Sequence, residues 1–520
     1  MMNLKINKET GSSNKQDGKE SIVVGKDILE LLSHAMYVNP LNIFREYVQN
    51  AADSIDEGEV QNSYKKNLNP RIEISISRSE RSVRILDNGL GVKKQIFKRR
   101  ITAFGASKKR GSNARGFRGV GRLAGLGYCQ ELIFRTRAPG ENNVSEVTWD
   151  CRKILELLRD DSFVGDLKDV VNEVVQFRNL NIENYPIHFF EVEMRKVSRL
   201  KNDVLLNEIE IKNYLAQVAP VPFSPDFIHK EKIESYLEKY HLGKSFHIFL
   251  NNSSEPVYRP HQNTLEISDN LVSKYRAPEF FVVQGNNGHE SAVGWRLDHS
   301  YLGAIPASAG VKGLRVRVGN IQVGNENLLS ELFAEKRFNS WAVGEVHIID
   351  KKIKPNGRRD NFPENQPYSN LKNHLATQGR KISQICREQS LIRAREKGFE
   401  IEKIKIEEKL AMLSQSVLPK NIKSSIKKEI GSSLAMMSKL SGDMELFEEN
   451  SSGLHKEFDK IQVKVEKIFH TKINGDPLAK LPKHKRAVYK EIFGLIYECS
   501  QNRVVAKSMI DKILARLSTV

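Results

Sequence analysis

Glu46, Asn50 and Asp53 stand at positions i, i+4 and i+7 of FREYVQNAAD, residues 44–53. On a helix that spacing puts an acid, an amide and a second acid on one stripe. Tyr47, Val48, Ala51 and Ala52 between them are mostly apolar, so the stripe borders residues suited to a core. A carboxylate one turn before a carboxamide suits metal-assisted hydrolysis. The amide oxygen can coordinate Mg2+, and the acid can accept a proton from an attacking water. An ordinary amphipathic helix also carries i, i+4 polar pairs on its solvated face, so the stripe needs further parts before it means chemistry.

Two further parts follow in the chain. DNGLG, Asp87 to Gly91, leaves an alternating strand. An aspartate entering a glycine turn can aim its carboxylate into a pocket and accept from an exocyclic amine such as adenine N6. Gly89 and Gly91 let the backbone approach a ligand closely. Then comes GFRGVGRLAGLG, residues 116–127, ahead of a helix. Its backbone N–H groups, with a helix N-terminus, can cradle phosphates. One glycine turn is commonplace, but three pieces in this order supply what ATP hydrolysis requires. Glu46 serves as base, Asn50 as Mg2+ ligand, Asp87 as adenine reader, and Gly119 with Gly121 as phosphate contacts.

This order resembles that of the GHKL, or Bergerat-fold, ATPases: gyrase, the ninety-kilodalton heat-shock chaperones, histidine kinases and MutL. The resemblance is strongest to the heat-shock chaperones of the bacterial HtpG type and covers about 31–200. It is carried by LLSHAMYVNPLNIFREYVQNAADSID (31–56), ILDNGLGV (85–92), GFRGVGRLAGLG and FRTRAPGENNVSEVTWDC (134–151). It implies ATP and Mg2+ as cofactors, Glu46 as general base, Asn50 as metal ligand and Asp53 as a buttress. It further implies nucleotide contacts from Asp87, Gly89, Gly91, Gly119, Val120 and Gly121. A second stretch, IIDKKIKPNGRRDNF (348–362), resembles the middle-domain segment that holds the family's catalytic arginine. Aligning on Asn356 and Asp360 puts Arg359 in that place, with Arg358 as the fallback. Such a guanidinium would stabilise charge developing on the γ-phosphate.

The chain departs from the family in three places. AFGASKK (103–109) sets Phe104 where the lid lysine stands, leaving Lys108 or Lys109 to substitute. The strand threonine that supports adenine has no clean counterpart in HFFEVEMRKV. Residues 376–520 match nothing in the family, so a homodimer is implied by the resemblance alone.

These residues need elements to hold them. The apolar pattern over 26–57 predicts two helices meeting at Pro40. RIEISISR (71–78) and SVRILDNG (82–89) alternate as a hairpin, and QELIFRTRA and IHFFEVEMRKV read as strands. NEIEIKNYLAQVAPV reads as helix. Residues 245–350 are strand-rich, with KSFHIFLN, GLRVRVGNIQVG and WAVGEVHIID, and from about 365 the pattern turns helical. The fold class is α+β. The expected order is a disordered arm over 1–24, a Bergerat-type α/β sandwich over 25–200, a mixed α/β middle domain over 201–375 with the arginine loop, and a helical region over 376–520.

Bulk properties narrow the function. No apolar run approaches the ~20 residues that span a bilayer, and the start is polar, without a signal-peptide core. Four scattered cysteines form no CxxC pair, which fits reduced thiols and a cytoplasmic protein. The net charge of +18 suggests an acidic partner. No acidic residue lies between Asp87 and Glu131, where 11 residues are basic; from 376 onward, 28 lysines and arginines face 18 acids. The expected function is an ATP-dependent chaperone-like clamp acting on protein clients. The alternative is a MORC- or MutL-like clamp acting on nucleic acid.

Overall fold

A computed structural model describes residues 25–26, 39–61, 69–104, 121–285, 288–413, 420–442, 451–470 and 477–518. The expected N-terminal arm and the helix ahead of Pro40 lie outside the described residues.

Helix α1, Asn42–Val60, carries the acid/amide stripe. Ile43, Phe44, Tyr47, Val48, Ala51, Ala52 and Ile55 recur on one broad face, and all are buried. Pro40 fixes φ just ahead of the first turn, and Asn39 Oδ1 accepts the Leu41 N–H at 3.0 Å. Strands β1, Arg71–Ser77, and β2, Ser82–Asp87, form the predicted antiparallel hairpin, with Ile74 opposite Ile85. Alternation puts Ile72, Ile74, Val83 and Ile85 inward and Arg71, Ser75 and Arg84 outward.

The sheet continues with β3 (Glu131–Arg137), β4 (Val144–Asp150), β5 (Val175–Leu180), β6 (Phe189–Arg195) and β7 (His247–Leu250). Its order is β5-β4-β3-β6-β2-β1-β7, antiparallel except for the β1–β7 pair. One face packs on α1 and neighbouring helices through a core that runs from Leu41 to Val257. Arg135 lies among Glu146, Glu191 and Glu193, at 2.6–2.7 Å, so part of the strand surface is covered by ion pairs instead.

A second sheet takes the order β10-β11-β14-β12-β13, in which β10 is Pro278–Gln284, β11 Glu290–Leu297, β12 Gly313–Val318, β13 Ile321–Val323 and β14 Val343–Ile348. The hairpin of β8 (Thr264–Ser268) and β9 (Leu271–Lys274) stands apart. Trp295, Phe223 and Phe227 centre this second core. The chain divides into two compact units, Met1–Ser383 and Gln384–Val520. The second is helical, with its own core of Phe399, Ile406, Ile430, Phe493 and Ile510. The long predicted helix is longer still, running over Gln366–Leu413.

Candidate active site

Glu46 lies on the inner side of α1, only 6% exposed. Against it packs Gly121, where a Cβ would overlap Glu46 Oε2; only glycine lets the backbone pass the carboxylate this closely. Gly121 opens a 3-10 helix, Gly121–Gly127. The expected helix is thus the tighter form, as glycines at 121, 125 and 127 give an α-helix little support. Tyr47 fastens this element to α1, its hydroxyl accepting the Gly125 N–H at 2.8 Å. Arg122 donates to the Ala103 carbonyl at 2.5 Å. Burial, with Arg100 adding to it, pushes the Arg122 guanidinium down to about 10.

The DxGxG turn meets the same helix one turn beyond Asn50. Asp87 is 3% exposed, and its Oδ1 accepts the Gly89 N–H at 2.9 Å. A Cβ on Gly89 would overlap Ser54 Oγ, and the Leu90 N–H donates to the Ser54 carbonyl at 3.2 Å. Gly91 has φ +68°, and a Cβ there would strike the Arg137 carbonyl, so this position needs glycine twice over. Asn88 anchors the turn to β1, accepting the Arg71 N–H at 2.9 Å and donating to the Asn69 carbonyl at 2.8 Å. Thr136 links the far side. Its hydroxyl accepts from Val92 N–H and donates to the Phe189 carbonyl, each at 2.9 Å.

The arginine loop is brought to the same helix. Arg45 Nη2 donates to the Arg358 carbonyl at 2.7 Å and lies 3.6 Å from Glu46 Oε1. The loop is tightly wound. Asn356 Nδ2 donates to Asp360 Oδ1 at 2.5 Å, the Asp360 N–H returns to Asn356 Oδ1 at 3.2 Å, and the Gly324 N–H donates to the Arg359 carbonyl at 2.8 Å. Arg359 is 5% exposed and sits at φ +53°, a conformation that costs an L-residue about 1–2 kcal/mol. Strain held this firmly at a buried charged residue marks a constrained position.

The structure therefore gathers Glu46, Asp53, Asp87, Gly89, Gly91, Gly121 and the Arg359 loop around α1, with Asn50 half-buried on the same helix. Lys108, Gly119 and Val120 lie outside the described residues. Sequence reasoning missed Arg45, the hydroxyl of Tyr47, His188 and Tyr214. Tyr214 donates to Asn42 Oδ1 at 2.7 Å, and burial pushes its hydroxyl up to about 12, with Arg45 opposing the rise and Glu46 adding to it. Arg45 was visible as the base next to the acid; Tyr47 was counted only for its apolar ring.

Among the described residues, Glu46 Oε1 and Gln49 Oε1 are buried and accept no hydrogen bond. Most buried polar atoms in folded proteins find a partner.

Known proteins give the same reading. Residues 45–160 match the family described as "Histidine kinase-, DNA gyrase B-, and HSP90-like ATPase". The chain is 24% identical over 262 residues to the chaperone protein HtpG of Buchnera aphidicola subsp. Schizaphis graminum, covering 41% of this chain and 42% of that protein. It is 26% identical over 158 residues to HtpG of Enterobacter sp. (strain 638), covering 27% and 25%. It is 26% identical over 142 residues to HtpG of Escherichia coli (strain K12), covering 24% and 23%. The matched stretch spans less than half the length of each of these relatives. With the acid/amide helix, the glycine turn and Gly121 following in this order, residues 45–160 match a GHKL-type ATPase domain, in a chain similar over part of its length to the HtpG chaperones.

Proposed function

We propose that the protein binds and hydrolyses ATP with Mg2+ and uses the cycle to close a homodimeric, cytoplasmic clamp on unfolded or partly folded protein clients. One observation carries the hydrolytic part. Arg45 ties the Arg358–Arg359 loop to the helix turn that holds Glu46, which supports a base and an arginine from a distant part of the chain acting together.

The residues fit the nucleotide. Gly121 lets the backbone pass the Glu46 carboxylate where a side chain would strike it, and Glu46 Oε1 is a buried acceptor with no donor among the described residues. No group of three His, Cys, Asp or Glu side chains among the described residues could hold a metal. Asn50 would then be the protein's own Mg2+ ligand, phosphate oxygens supplying the rest. Bound Mg2+ would neutralise charge on the phosphates. Glu46 takes the proton from the attacking water. Asp87 accepts from the adenine amine and orients the base. Arg359 stabilises negative charge as it builds. A contact that exists only once the loop is docked makes turnover depend on domain position.

Phosphate release by the purified chain, abolished on chelating Mg2+, tests the ATPase. Suppression of aggregation of a heat-denatured protein, with and without ATP, tests the client. A chain that releases no phosphate sinks the first claim, and one that leaves aggregation unchanged sinks the second.

A further inference from the structure

His188 precedes β6 and was assigned no role by its sequence context. β2 and β6 pair antiparallel with Asp87 opposite Phe190. Continuing that register by two residues sets His188 opposite Gly89, on the same sheet face as Asp87. The contact is made: His188 Nδ1 lies 2.7 Å from the Gly89 carbonyl, and the ring is buried. A carbonyl only accepts, so Nδ1 carries the proton and donates. Gly89 is thereby held at both ends, its N–H by Asp87 Oδ1 and its carbonyl by the imidazole. One residue links the two side chains.

Resting on the nucleotide reading above, we propose that His188 is a positioning residue for base recognition. It fixes the carbonyl end of Gly89, and across the Gly89 Cα it steadies the neighbouring peptide unit, whose N–H sets the direction of the Asp87 carboxylate toward the exocyclic amine of adenine. The other restraints on the turn hold other atoms, Ser54 gripping the far end of the same Gly89–Leu90 peptide unit. Asn88 anchors the outer edge to β1, and Ser54 takes the Leu90 N–H. Neither holds the Gly89 carbonyl. Without His188 the Gly89–Leu90 peptide unit is held only through its Leu90 N–H, and the Gly89 N–H that meets Asp87 is less firmly fixed.

The test compares ADP with inosine diphosphate, whose base carries an oxygen where adenine carries the amine. Both are titrated into the wild type, His188→Leu and His188→Asn, with a thermal melt of each variant. The wild type should favour ADP by at least roughly tenfold, because an amine-reading pocket rejects a base that lacks the amine. His188→Leu should bring ADP to within about threefold of inosine diphosphate while leaving the latter unchanged. His188→Asn, whose amide N–H stands near the place of Nδ1, should recover most of the preference. Should His188→Leu fail to fold, His188→Gln, which moves the donor one methylene outward, carries the same comparison. A Leu variant that keeps the preference, or that weakens both nucleotides equally, overturns the inference alone. A wild type that binds neither nucleotide overturns the nucleotide reading with it, and shows this before any variant is made.

Discussion

Two buried glutamates in the first unit are treated in opposite ways. Glu345, on β14, has no exposure, and both of its oxygens are engaged. Arg259 Nη1 and Arg317 Nε each reach it at 2.5 Å, and His347 Nε2 donates at 3.0 Å. The arginines are themselves satisfied. Arg259 donates to Asn320 Oδ1 at 2.6 Å and to the Val221 carbonyl at 3.0 Å, and Arg317 to the Gln217 carbonyl at 2.8 Å. Among the described residues, Glu46 has Arg45 as its ion-pair partner, at 3.6 Å, and one buried oxygen with no donor. A buried charge is tolerable when fully paired and costly when not. The second sheet uses its carboxylate to close a core, whereas α1 leaves its own short of partners, which suits the proton-accepting role proposed for Glu46.

The largest expected effect lies at the satisfied site. Glu345→Ala leaves two arginines buried without their counter-charge and should cost about 3–5 kcal/mol of stability, read as a shift of the urea midpoint. The pH dependence follows. Burial alone would raise the Glu345 carboxyl, but Arg259, Arg317 and the His347 bond hold it well below the usual carboxylate range. A group whose folded pKa is depressed contributes stability above its unfolded value and loses it as pH falls toward the folded one. The wild type should therefore lose stability below roughly pH 4.5, and Glu345→Gln should lose less over that interval. Equal slopes would mean that Glu345 is not the strongly paired group described.

Glu46→Ala should do the reverse. Turnover should drop about 10²–10⁴-fold, the usual worth of a general base, while the melting temperature stays at or above the wild-type value. A variant that melts early and still hydrolyses ATP would make Glu46 another structural carboxylate and erase the contrast.

The two glutamates also differed in how far they could be read from sequence. Glu46 was legible because the residues it is grouped with in sequence are local or carried by motifs: Asn50 one turn on, then DNGLG and the glycine stretch in order. The hairpin of 71–89 and the strands at 130–138 and 187–197 were legible through period-two alternation. Glu345 was not, since its partners at 259, 317 and 347 come together only through sheet pairing, and β12 runs parallel to β14 across an intervening segment. His188 was hidden likewise, its role arising from a cross-strand register. Arg45 needed a contact 313 residues away. β7 was read as a strand, but nothing local says that it pairs with β1.

Arg359→Ala should lower turnover by about a hundredfold, the usual range for one charge-stabilising donor, and leave ADP affinity unchanged. Its backbone is wound into the loop by Gly324 and Asn356, so the loop should stay folded. If turnover holds, Arg358 takes the role or the loop has none. Asp87→Asn should weaken ADP by roughly 1–3 kcal/mol, because an amide can turn its N–H2 toward the adenine amine in a buried pocket. Unchanged affinity in a titration would show that another group reads the base.

The smallest effect expected concerns charge that is not buried at all. Helix α2, Lys94–Thr102, exposes Lys94, Lys98 and Arg99, with Lys93 just ahead of it. Lys98 lies over the exposed ring of Phe177 at 4.5 Å, and the Lys94 backbone N–H is held by Glu141 at 2.7 Å. These ammonium groups stand in water, where a cation already has its solvation and gains little from a fixed partner. They do not need nucleic acid to explain them. DNA or RNA should therefore change the ATPase rate by less than about twofold, at low salt as at high. A several-fold stimulation that collapses as salt rises would mean that phosphates are being neutralised and counterions released. That result would make the basic run a functional surface and replace protein clients with nucleic acid as the material the clamp holds.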